Sequence, residues 1–243
     1  MNINSKLVNY RIILFSNETI KGNQSLSNTI FDALKELFPG EPQNHQFIMN
    51  VFGNPIINPD SLKLSNDRIN CLIVQNHIEF SFYRRQNDNE TFDAEILYQK
   101  ARLAAEIICR ATNILFNRLA INIGKVVSGI DTLLIKKKGH CFLKTIPSFS
   151  NSELNEWNTR VVRTEDVLLN NKNDSLNVIY SANNNRLIST YEDVVVYQID
   201  INTTHLNMNP RFGYNEIVDF LNLASKLSAK MDSEIEGLIS NNE

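Results

Sequence analysis

Residues 68–85 read RINCLIVQNHIEFSFYRR. Ile69, Cys71 and Ile73 recur at every second position, and after Gln75-Asn76 so do Ile78, Phe80 and Phe82. Successive side chains of a strand point to opposite faces of its sheet, so a period of two marks a half-buried strand. The spacing predicts a hairpin turning near Gln75-Asn76, with one apolar and one polar face.

A polar stretch of roughly ten residues then leads to Phe92–Leu119. Here Ile96, Leu97, Ala101, Ala104, Ile107, Ile108, Ala111 and Leu115 recur at three- and four-residue spacing, the stripe of an amphipathic helix. The same order returns near the C-terminus. An apolar strand, Val194–Ile201, precedes Tyr214–Ile239, which sets Ile217, Phe220, Leu221, Ala224, Leu227, Met231, Ile235 and Leu238 on one stripe. Such a stripe must be covered, and the nearest apolar surface is the sheet before it. The two strand-to-helix units predict an α+β fold of mainly antiparallel sheets, with long amphipathic helices packed on one face. They also predict two related halves, residues 1–118 and 119–243.

Working outward, Leu7–Phe15 is rich in β-branched and aromatic residues and reads as a strand. Ser25 or Ser27 is positioned to cap a short helix with Ile30, Phe31, Leu34, Leu37 and Phe38 on its apolar face, closed by Pro39-Gly40. Phe47–Phe52 reads as a strand, and Pro55 and Pro59 bracket a turn. In the second half, Leu119–Val127, His140–Thr145, Asn158–Val167, Leu176–Ala182 and Val194–Ile201 read as strands. The short Asn-, Asp- and Lys-rich turns between the last three favour an antiparallel meander over parallel crossovers, which would need intervening helices.

The 243 residues suffice for one large domain or two small ones. Hydrophobic residues make up 42% and charged residues 21%, far from the composition that keeps a chain disordered. A net charge of -3 gives no global attraction to phosphate backbones or anionic lipid. No apolar run approaches the roughly 20 residues that span a bilayer, and Met1–Tyr10 lacks the apolar segment of a signal peptide. The reading is a cytoplasmic protein with no membrane partner. Cys71, Cys109 and Cys141 are odd in number and widely spaced, which argues against a disulfide framework.

The unit ending in Phe82-Tyr83-Arg84-Arg85, the long Ala-rich helix after it, and the later segment VVVYQIDINTT with its helix give the chain a pattern-level likeness. It resembles a sporadically distributed bacterial family of uncharacterised proteins of about this length. The resemblance covers most of the chain in order of elements. It implies no activity and no site residues; what it implies is a setting in mobile, toxin-linked or phage-defence modules.

No catalytic residue is assigned. His140-Cys141 is an adjacent nucleophile-and-base pair, but neighbours on a strand point to opposite faces and cannot act on one atom. His77 and Glu79 share a strand face, where a solvent-facing polar stripe is the plainer account. Asp200 ends an apolar strand and is placed to accept hydrogen bonds from Asn202–Thr204. No zinc-type spacing links the cysteines and histidines, and neither Gly-rich phosphate motif occurs, so no metal or cofactor is expected. The candidate basic patch is Arg84, Arg85, Lys136, Lys137, Lys138 with Lys144, Arg160 and Arg163, suited to a phosphate backbone or an acidic partner if the groups converge. Trp157 is a candidate interface residue or an anchor at the core edge. Val218 and Leu223 widen the apolar arc of the last helix and complete the candidate interface.

These readings favour a non-catalytic protein-binding or regulatory protein that takes a protein partner or a second copy of itself. Two other classes remain: a small enzyme acting on nucleotides or nucleic acid through His77, Glu79, His140 or Asp200, and a nucleic-acid binder using the basic clusters, which the negative net charge disfavours.

Overall fold

A computed structural model describes residues 4–20, 23–40, 43–51, 54–66, 69–83, 92–130, 156–187 and 190–240. Among these, nine strands form one antiparallel sheet: β1 (Asn4–Phe15), β2 (Gln43–Val51), β3 (Asn54–Asn66), β4 (Ile69–Ile73), β5 (His77–Tyr83), β6 (Arg118–Ser128), β7 (Asn158–Leu169), β8 (Lys172–Arg186) and β9 (Asp193–Thr203). Three helices accompany it, α1 (Gln24–Leu34), α2 (Ala94–Thr112) and α3 (Tyr214–Ser240). The strand order is β2-β3-β4-β5-β1-β6-β9-β8-β7, so the sheet runs unbroken from the first half of the chain into the second through the β1–β6 pair. The fold is α+β.

The hairpin read from residues 68–85 is present: Ile73 pairs Ile78, and the Val74 amide closes the turn on the His77 carbonyl at 2.9 Å. Turn chemistry explains the β7–β8 hairpin as well. Asn170 and Asn171 hold φ of 48° and 61°, and two successive left-handed residues make the tight turn whose twist matches that of the strands.

The sequence reading needs correction at three elements. First, α1 is capped by Asn23 and not by Ser25 or Ser27; the Asn23 side chain accepts from the Leu26 amide at 3.2 Å. Asn caps as well as Ser does, and it stands one position before the first helical residue. Second, Pro55 and Pro59 lie inside strand β3 and bracket no turn. Pro55 stands next to the β2–β3 turn and Pro59 at a register shift, while β4 pairs only with Leu62–Asn66, so neither ring breaks a two-sided ladder. Third, α2 starts after Asp93, whose carboxylate accepts from the Glu95 amide at 2.9 Å, and stops at Asn113, which adopts φ of 54°. Ala111 and Leu115 are therefore exposed, and the buried stripe is Leu97, Tyr98, Ala101, Ala104, Ala105 and Ile108. Ile96 faces solvent as well. The expected strand His140–Thr145 lies outside the described residues.

One core fills the space between the sheet and the helices. Ile12, Leu14, Phe80, Ile121, Ile199 and Ile201 project from the sheet, and Ile30, Ala104, Ile108, Phe220 and Leu221 from the helices. Each fully buried large aliphatic side chain contributes about 1.5–3 kcal/mol, so this layer fixes which face of the sheet stays available. Helix α2 contacts both α1 and α3. Helix α3 is capped by Glu216, which reaches back to the Gly213 amide at 3.0 Å.

Candidate functional site

The register defines the far face, which points away from the helices. On β1 it carries Asn9, Arg11 and Ile13; opposite them stand Ser81 and Glu79 on β5, and Gly124, Asn122 and Ala120 on β6. It continues through Gln198, Asp200 and Asn202 on β9, Ser181, Ile179 and Asn177 on β8, and Arg160, Val162 and Thr164 on β7. Amides, hydroxyls and a few paired charges dominate.

These side chains bond across the strands. Arg11 donates to Asn122 Oδ1 at 3.1 Å and lies 3.9 Å from Glu79. Asn177 donates across to Asn202 at 3.4 Å and the Thr164 hydroxyl donates across to Asn177 at 3.1 Å, while along β9 Asn202 donates to Asp200 at 3.0 Å. A Cβ on Gly124 would fall 2.9 Å from Asn9 Oδ1, so glycine is what lets the Asn9 amide lie across the neighbouring strand.

Burial divides the face in two. Toward β4 and β5, Leu72, Glu79 and Ser81 are buried; toward β7, Gln198, Arg160, Val162 and Thr164 are exposed. The exposed half holds a recess of about 380 Å³ between Asn158, Arg160, Ser181, Asn183, Val196 and Gln198. In the buried half, desolvation and then the nearby Arg11 guanidinium push the His77 imidazole down to about 4. His77 is neutral at pH 7, and its Nδ1–H donates to Asn76 Oδ1 at 3.1 Å.

A second concavity, of about 370 Å³, lies on the helix side between β1, β6, α2 and α3. A bulge on β1 between Leu7 and Asn9 makes it, because the extra residue turns Ser5 and Leu7 to the same side as Tyr10. The Tyr10 and Tyr98 hydroxyls meet at 2.5 Å. Lys125 donates to Asp232 and, at 3.2 Å, to Glu236, and the Tyr197 hydroxyl donates to Asp232 at 2.6 Å. Burial raises the Tyr10, Tyr98 and Tyr197 phenols above their ordinary value, so all three are protonated donors. Burial works against the Glu236 carboxylate, but the Ser5 hydroxyl and Lys125 hold it below the usual range. Phenols that keep their protons are poor bases, and an ammonium bound to two carboxylates is a poor nucleophile. The network ties α3 to the sheet.

The residues singled out in the sequence are dispersed. Arg160 and Arg163 stand three apart on β7 and so point to opposite faces, Arg160 to the recess and Arg163 into an ion pair with Glu165 at 2.7 Å. They do not converge. Arg84, Arg85, Lys136, Lys137, Lys138, Lys144, His140 and Cys141 lie outside the described residues. Trp157 is 3% exposed and belongs to the core, which corrects its candidacy as an interface residue: a side chain so enclosed presents no surface. Leu223 is half-buried and packs on the core, and Val218 is half-buried as well. His77 and Glu79 do share the far face, but Glu79 is buried and not part of a solvated stripe. Asp200 accepts from the Asn202 side chain, as its position at the strand end suggested. Burial raises the Cys109 thiol to about 11 and the Cys71 thiol higher still.

Sequence reasoning passed over the recess residues Asn183, Ser181 and Gln198. Their only trace is the alternation of polar and apolar residues along β8 and β9, which any half-exposed strand shows. Comparison with protein-family models and with curated proteins returned no match to this chain.

Proposed function

We propose that the protein is a non-catalytic binding or regulatory protein that receives a protein partner on the exposed half of its far face, from Gln198 on β9 across β8 to β7. The observation that carries this reading is the recess that Asn158, Arg160, Ser181, Asn183 and Gln198 line on this face, beside a hydrogen-bonded row from Asn202 through Asn177 to Thr164. Amides supply donors and acceptors together, which suits another protein's polar surface, and Val162, Ile179 and Val196 add small apolar contacts among them. Charge on this surface is sparse and of both signs, Arg160 against Asp166 and Asp200. A phosphate backbone would ask for clustered cations, so the nucleic-acid reading ranks second.

The finer readings belong to the same proposal. The order in which β5 returns to β1 before α2, and β9 returns to β6 before α3, supports two related halves around the β1–β6 pair. A cytoplasmic place in a bacterial toxin-linked or phage-defence module rests on the family resemblance alone. No helix among the described residues is long and apolar enough to cross a membrane.

The test is a comparison of tagged wild type with Arg160→Glu/Gln198→Lys in affinity purification from the native cell, with circular dichroism confirming both fold alike. A protein recovered with wild type and lost with the variant supports the reading. A protein recovered equally with both, or nucleic acid in place of protein, overturns it.

A further inference from the structure

The terminal strand β7 runs twelve residues and pairs with β8 in unbroken register from Asn158↔Asn183 to Leu169↔Lys172. No other described strand pairs with its outer edge. Sheets usually protect such an edge with a proline, a bulge, a short strand or charged side chains, and of these β7 has the charges alone, two of each sign. Between Asn158 and Leu169 there is neither proline nor glycine, and the pairing shows no bulge. Both ends are held down: at the C-terminal end α3 receives the Asn170 amide on Asp219 at 2.8 Å and the Asn170 side chain on Glu216 at 2.9 Å, and at the N-terminal end Trp157 is buried in the core with its amide donating to Asn184 Oδ1 at 2.7 Å. Between those anchors the strand exposes apolar side chains on both faces, Val161 at 55% and Val162 at 45%.

We propose that this edge pairs antiparallel with β7 of a second copy, about a twofold axis at Thr164, continuing the sheet across the dimer. The strand's charges select the partner and the register. With Thr164 opposite itself, Arg163 of each copy faces Glu165 of the other, and Val161 of each faces Val167 of the other. Shifting the axis to Arg163 or to Glu165 sets like charges directly opposite, which destabilises a strand pair. Two arginines and two acids on the strand leave it neutral, so copies meet without net repulsion. Because the register pairs residues of one parity, far face continues into far face. The dimer therefore places two recesses on one surface, whichever partner that surface receives.

The experiment is sedimentation velocity of the full chain across a micromolar concentration series, with Arg163→Glu, Glu165→Arg and the double swap. Each single change sets like charges opposite at two symmetric positions and weakens the dimer about tenfold or more. The double swap restores complementarity and returns association toward wild type. Hydrogen exchange should show β7 amides protected in the dimer and released in the single variants. A wild type that stays monomeric at high micromolar concentration overturns the proposal. So does a dimer that ignores both single changes and leaves β7 exchanging freely, since its interface would then lie elsewhere.

Discussion

Arg211 grips the Asp174 carboxylate with two nitrogens, Nε to Oδ2 at 2.6 Å and Nη2 to Oδ1 at 3.3 Å. The same guanidinium donates to the carbonyls of Asn117 and, at 2.6 Å, Asn207, and it lies 4.2 Å from the Phe212 ring centroid. It joins the start of β8, the entry to β6 and the segment leading into α3. Arg211→Ala leaves a nearly buried carboxylate without its partner and should cost about 3–5 kcal/mol. Arg211→Lys keeps the charge but loses the fork and the stacking, for a loss of about 1–3 kcal/mol. Urea unfolding of the two variants checks the order; equal losses would show that the fork contributes nothing beyond its charge.

His77 makes stability depend on pH in a definite window. Its folded value is about 4 and its ordinary value 6.5, so between these the unfolded chain binds a proton that the folded chain does not. The contribution is complete above pH 6.5 and is lost as pH falls toward 4. His77→Gln should flatten the stability profile in that window, read as the midpoint of urea unfolding at several pH values. An unchanged slope would place the titration on other groups.

Glu216 adds a dependence on the acid side. Burial opposes its charge, yet Lys172 at 2.6 Å, Asn170 at 2.9 Å and the Gly213 amide hold its carboxyl below the usual range. A depressed carboxyl stabilises fully above its unfolded value and loses that contribution as pH falls through the folded one. Glu216→Gln should lower stability at neutral pH by about 1–3 kcal/mol and remove part of the acid limb. The measurement is thermal unfolding from pH 7 down to acid, where wild type and variant converge; parallel curves would count against the assignment.

Leu221 on α3 and Ile108 on α2 are fully buried between the helices and the sheet. Placing Asp at either leaves an unpaired charge in the core, a cost of several kcal/mol against a total stability of about 5–15 kcal/mol. Both variants should be unfolded at 25 °C by circular dichroism, whereas Leu168→Asp, at a side chain 63% exposed, should melt close to wild type. Cooperative wild-type melting of Leu221→Asp would mean that α3 does not seat on this core.

The hairpin of residues 68–85 and the seating of α3 were legible because each is a local pattern. Alternation and a three-to-four spacing are written within one segment and need no knowledge of its neighbours. The polar face of β5 was legible as polar but not as buried. Glu79 and Ser81 have the alternation of a solvated stripe, and only the packed chain encloses them. Trp157 was left between two readings for a like reason: a lone aromatic after a polar loop has the same sequence whether it meets a partner or the core. The separation of Arg160 from Arg163 follows from a period of two once β7 is known to be a strand throughout.

By itself, the sequence determined the α+β class, the presence of most strands, and the antiparallel run of β7, β8 and β9, all of them consequences of side-chain periodicity and turn residues. The tertiary structure decided that β1 and β6 meet at the centre of one sheet, that a bulge at Leu7–Asn9 opens a cavity beneath two helices, and which half of the far face is exposed. Arg11 and Asn122 are bonded across 111 positions of chain. Contacts at such separation form only after the chain has closed on itself, and they impose no periodic mark on either segment from which the pairing could be read.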